Sequence, residues 1–168
     1  MTGKLNPELA QTVLRQGELR LAAQLTVGLA ADHRAMTLSG IYVVAATAAL
    51  GFGAGFLSSN TGSTPLGIGG IVTGLWLGIA AVQCVRAALP VQFATVGAQP
   101  KSWWEEGVEN RPLAECLHME SENYQKRITY NQEVNKRGAG LLRLGAYLGI
   151  AAPFIGFVAW AVVAWALV

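Results

Sequence analysis

Three stretches of this sequence carry no charged side chain: residues 35–57, 66–85 and 144–168, with the second apolar run continuing past Arg86 to Leu89. A helix needs about 20 apolar residues to cross a hydrocarbon layer of about 30 Å, and each stretch meets that length. A helix also satisfies its own backbone N–H and C=O groups, as a lipid environment demands. The expected fold class is therefore all-α: an integral membrane protein with three transmembrane helices plus cytoplasmic amphipathic helices. Composition argues the same way. Of 168 residues only 13% are charged and 52% are hydrophobic, whereas soluble domains carry about 25% charged residues. Three such helices buried in a soluble core would need a polar shell larger than this chain supplies. A disordered chain is excluded by the apolar content, and two cysteines cannot staple a disulfide scaffold.

The placement of charge gives an orientation. All 12 basic and all 10 acidic residues lie in residues 1–34, at Arg86, or in residues 90–143. The connection between the first two apolar runs reads SSNTGSTP and has no charge. The positive-inside rule puts residues 1–34 and 90–143 in the cytoplasm. The chain then divides into a cytoplasmic amphipathic helix (1–34), a transmembrane hairpin (35–57 and 66–89), a cytoplasmic loop and helix (90–143) and a third transmembrane helix (144–168). The expected location is a bacterial inner membrane, crossed several times, with the N-terminus inside and the C-terminus on the opposite side. Arg86 and Arg143 sit where long side chains can reach the cytoplasmic interface. The first apolar run follows about 34 polar, helix-prone residues, so it does not read as a cleavable signal peptide.

Within the spans, small residues recur every four positions. Gly70, Gly74 and Gly78 form such a stripe, as do Thr47, Gly51 and Gly55 in the first span and Gly145 and Gly149 in the third. In lipid, small side chains on one face let helix backbones approach closely. Two uses are open: an oligomerisation seam, or packing of the three helices of one chain. Pro153, about midway along the third span, removes one helical hydrogen bond and is expected to kink it. Trp160 and Trp165 read as anchors at the far interface, and Trp103 and Trp104 as anchors at the near one. Stacking of a ligand on the latter pair is the alternative. No span carries an ionisable group at midplane depth, which argues against proton relays, ion-coupled transport and voltage sensing.

The polar parts read as helices. Asn6-Pro7-Glu8 is a helix start, with a cap, a first-turn proline and an acid near the positive end of the dipole. From residue 7 to about 32, Ala10, Leu14, Leu21, Leu25 and Leu29 share a face. That face is short of large apolar residues, which favours packing on another helix over lying on the membrane. Residues 90–110 contain Pro90, Gly97, Pro100 and Gly107 and read as irregular. From Pro112 a helix is expected through Lys136 and onward. Leu117, Tyr124, Asn131 and Val134 form a heptad-like seam in which polar Asn131 fixes register; a solvated face is the alternative.

Catalytic signatures are missing. Cys116 and His118 are two residues apart and do not face each other on a helix, and no second pair completes a metal site. Glu105, Glu106 and Glu109 read as a solvated face. There is no Walker loop, serine-nucleophile motif or dinucleotide fingerprint. The chain is expected to be no enzyme, with no cofactor and no metal, and its charge balance of +2 gives no nucleic-acid partner.

The order of parts carries a resemblance. An amphipathic helix ends in Ala31-Asp32-His33-Arg34-Ala35 at the mouth of the first span; a tight hairpin follows, and a long helix over residues 122–137 feeds the last span. This layout resembles the small bacterial membrane effectors of the Pycsar and SLATT kind, in which an Ala-Asp-x-Lys-Ala-like stretch precedes the first span. Arg34 stands where Lys is usual. The resemblance implies nucleotide-triggered membrane disruption during antiphage defence, although the chain has no recognisable nucleotide-binding domain. The expected function is a non-enzymatic, self-associating membrane protein that perturbs the bilayer or forms a pore. The alternative is an accessory or scaffold subunit of a larger membrane complex. The expected partners are the lipid bilayer and either further copies of the chain or other membrane subunits.

Overall fold

A computed structural model describes residues 6–59, 63–97 and 111–167. Among these residues there are three helices and no strand: α1 (Pro7–Ser58), α2 (Thr64–Ala87) and α3 (Leu113–Ala166). All three contain a segment long and apolar enough to cross a membrane.

Local chemistry sets the helix ends. The Asn6 side chain accepts from the Glu8 N–H at 3.0 Å, satisfying one of the free donors of the first turn of α1. Pro65 falls in the first turn of α2, where a missing N–H costs nothing. At the other end the Ala88 N–H closes the helix on Cys84 O and Val85 O. The Pro112 carbonyl accepts from Glu115 and Cys116 and opens α3.

The polar and apolar stretches at both ends of the sequence are not separate elements. Residues 7–58 form one helix, and so do residues 113–166. Ala-Asp-His-Arg-Ala-Met at residues 31–36 contains no glycine or proline, so nothing stops the helix there. Pro153 lies inside α3.

The chain nevertheless packs as two compact units. One comprises Met1–Ala30 and Pro90–Lys136, the other Ala31–Leu89 and Arg137–Val168. In the first, polar unit, Leu21, Tyr124 and Ile128 form a buried cluster with Leu14 against it. Gly17 lies on Tyr124 and Gly28 on Asn135, so the α1 and α3 segments run parallel. The Gln24 side-chain amide donates to Ile128 O at 3.3 Å, and Asn135 Nδ2 donates to Gln24 O at 3.3 Å. The buried arc of α1 follows Ala10, Leu14, Leu21 and Gly28. Leu29, expected on this face, is 63% exposed, because it stands one helical step past Gly28.

In the second, apolar unit, α2 runs antiparallel to both other helices. Gly53 and Leu50 of α1 meet Gly70 and Gly74 of α2; Gly145 and Gly156 of α3 meet Cys84 and Thr73. Ala46, Leu77 and Ala152 are buried between the three. Large apolar side chains point outward, Val44 and Phe154 among them, at 72% and 69% exposure.

Candidate functional site

The small residues of the apolar unit fall into two groups once the helices are assembled. Gly70 and Gly74 face α1. A Cβ on Gly70 would lie 3.0 Å from the Gly53 Cα, and one on Gly74 would lie 2.6 Å from the Leu50 side chain and 2.9 Å from Ala46 O. Gly145 receives the Cys84 sulfur and the Ala80 carbonyl of α2, and Gly149 receives the Tyr42 ring of α1. These four glycines are spent on contacts within the chain. Gly51, Gly55 and Gly78 are different, since a Cβ at any of them would meet nothing within 4 Å. Thr47, one turn before Gly51, is exposed and donates back to Val43 O at 2.9 Å.

Four further glycines make close approaches that four-residue spacing did not single out. Gly53 sits under Gly67 O, 2.7 Å from a Cβ position, so even one methyl group strikes backbone. Gly67 meets Leu57, Gly69 meets Gly156 O and Trp160, and Gly156 meets Thr73. The signal in the sequence is the run Gly67-Ile68-Gly69-Gly70. Gly67 and Gly70 turn toward α1 and Gly69 toward α3, so one short run serves two neighbours.

Two polar side chains inside this unit are answered by the backbone of a neighbouring helix. The Ser39 hydroxyl donates to Ala81 O at 3.4 Å, and Trp76 Nε1 donates to Leu148 O at 3.0 Å. An open hollow of ≈ 380 Å³ is lined by Phe52, Leu66, Gly69, Gly70, Gly156, Phe157 and Trp160. Its wall is almost wholly apolar and can shelter only hydrocarbon.

Of the expected interface residues, Trp165 is 84% exposed. Trp160 is half-buried instead, with its Cβ against Gly69 and its ring 5.4 Å from that of Phe157. Arg86 and Arg143 are exposed, and Arg86 reaches the Gln83 side chain at 3.5 Å. Trp103 and Trp104 lie outside the described residues.

In the polar unit, the seam residues Leu117, Tyr124 and Asn131 are buried and Val134 is half-buried. Asn131 is completely enclosed, and its partner is a backbone. Its Nδ2 donates to Ala94 O and its Oδ1 accepts from the Ala94 N–H, both at 3.0 Å. Three residues on, the Gly97 N–H donates to the Tyr124 hydroxyl at 2.8 Å, and Gly97 O accepts from Arg127 at 2.9 Å. Gly97 has a φ of +96°, a region that favours glycine. Arg127 also lies over the Tyr124 ring, 5.4 Å from its centre, and 3.7 Å from a Glu120 oxygen. Phe93 packs on Gly28, where a Cβ would lie 2.9 Å from the ring.

Among the described residues no group of three His, Cys, Asp or Glu side chains could hold a metal ion. His118 pairs with Glu122 at 3.6 Å, one turn along the same exposed helix face. Cys84 and Cys116 are both buried and not disulfide-bonded. No protein-family model, curated protein or solved structure matches this chain.

Proposed function

We propose that this chain is a non-enzymatic, multi-pass protein of a bacterial inner membrane that assembles with further copies of itself and perturbs the bilayer. Residues 1–34 and 90–143 lie in the cytoplasm in this reading, and the short connection after Ser58 lies on the other side. The observation that carries it is the division of the small residues. Most glycines of the apolar unit are occupied within the chain, whereas Thr47, Gly51 and Gly55 on α1 are left open. Close approach between spans in lipid needs such a face, and a second copy can use what the first leaves free. The lack of charge along the three apolar runs suits a structure that works by assembly rather than by ion-coupled transport.

The experiment combines cross-linking in membranes with dye release from liposomes. The double variant Gly51→Leu with Gly55→Leu should keep the monomer's helix content, lose cross-linked oligomers and lose leakage. Unchanged oligomers and unchanged leakage would remove the basis for this reading.

A second reading, a docking subunit of a larger membrane complex, is favoured by one observation. Leu9, Leu19 and Val27 are large apolar side chains left exposed on the α1 segment of the polar unit, and a partner subunit would cover them. Purification in mild detergent separates the two. A complex of one component supports self-assembly, and stoichiometric foreign subunits support docking.

A further inference from the structure

Residues 91–97 lie along the seam of two helices in the manner of a bound peptide. The segment is not helical, and its path is antiparallel to α3: Phe93 is at Gly28 and Asn135, Ala94 at Asn131, and Gly97 at Tyr124 and Arg127. The hydrogen bonds that hold it come from side chains. Asn131 offers one donor and one acceptor to a single residue's backbone, as a neighbouring strand would. Tyr124 and Arg127 repeat the pattern at Gly97 with one acceptor and one donor. Such backbone bonds accept many sequences, and selection falls to the side-chain pockets. Here the selective contact is Phe93 on Gly28, a position where any larger residue on α1 would collide with the ring.

We propose that the seam between α1 and α3 of the polar unit is a binding site for an extended peptide with an aromatic residue followed by a small one, and that residues 91–97 fill it as a releasable strap. Three observations argue for release. Val91, Gln92, Thr95, Val96 and Gly97 are exposed, and only Phe93 and Ala94 are half-buried. The side chains that clamp the backbone belong to α3, whose own helical bonds do not depend on the strap. The seam also retains hydrogen-bonding capacity that the strap does not use, because Gln24 Oε1 is buried there without a donor. The site lies wholly in the polar unit and does not rest on the membrane reading.

The test uses the full chain in detergent and a labelled heptapeptide of sequence Val-Gln-Phe-Ala-Thr-Val-Gly. Ala94→Pro removes the N–H that Asn131 accepts and loosens the chain's own strap while leaving the seam residues intact. A self-occupied site hides affinity in proportion to its occupancy. The peptide should therefore bind Ala94→Pro at least about tenfold more tightly than the wild type. Adding Asn131→Ala, or replacing the peptide's Phe by Ala, should abolish that gain. Equal binding to wild type and to a helical, monodisperse Ala94→Pro chain, or binding to neither, overturns the proposal. Amide hydrogen exchange of the wild type provides a measurement free of variants. The Ala94 and Gly97 amides should exchange through a local opening that leaves the amides of residues 124–131 protected. Exchange of both sets in one common event makes the segment a fixed part of the core and overturns the proposal.

Discussion

The polar and apolar units are built from the same two long helices, yet different chemistry holds each. In the polar unit the α1 and α3 segments meet through Leu21, Tyr124 and Ile128 and through side-chain amides. In the apolar unit the helices meet through glycines, with Gly53 under Gly67 O and Gly69 against Gly156 O. Water explains the first pattern, because burying large apolar side chains away from it is the driving force. In lipid, where the proposed function puts the apolar unit, that force vanishes between apolar helices and close backbone contact takes over. What differs between the two halves of one helix is the medium each half is suited to.

Single substitutions in each unit test that contrast. The largest effect is expected at Leu21, which is fully buried in the polar unit. Leu21→Ala should cost about 2–5 kcal/mol. Hydrogen exchange should show faster opening at residues 124–128 and unchanged protection around Ala46 and Leu77. Equal loss in both units would erase the distinction.

Gly53→Ala comes next, since the new methyl group strikes backbone atoms of α2 and no side chain can yield. It should cost about 1–3 kcal/mol, read as a lower unfolding midpoint in detergent. A neutral result would mean that backbone approach does not hold the apolar unit together.

Gly51→Ala is the matched control and the smallest effect. It lies two residues away and meets nothing within 4 Å. Alanine is the better helix former by up to about 1 kcal/mol, so the unfolding midpoint in detergent should stay level or rise. A fall comparable to that of Gly53→Ala would show that a neighbouring copy already covers this face.

How far the sequence leads can be judged from the same residues. The three apolar helices were legible because uncharged runs of this length have few other uses. The polar seam was legible at Leu117, Tyr124 and Asn131, whose spacing matches the helix period. The partner of Asn131 was not, because it is the backbone of Ala94 in a segment without periodicity. Among the glycines, Gly70 and Gly74 were legible from spacing, whereas Gly53, Gly67, Gly69 and Gly156 were not. Spacing along one helix cannot say which neighbour a face meets, and α2 presents glycines to two neighbours at once. The continuity of α1 was also hidden. Residues 31–36 divide at a change in polarity, but polarity does not end a helix: the good helix formers there keep the backbone bonds of α1 running from one stretch into the next.

The proposed function puts the two halves of α1 in different media, and labelling with a membrane-impermeant maleimide separates the alternatives. Intact cells carrying either Ser59→Cys or Arg20→Cys, in a background where Cys84 and Cys116 are replaced by Ser, would be labelled before and after permeabilisation. Labelling of position 59 in intact cells and of position 20 only after permeabilisation is the predicted result. Labelling of both positions only after permeabilisation, or of position 20 in intact cells, would contradict it.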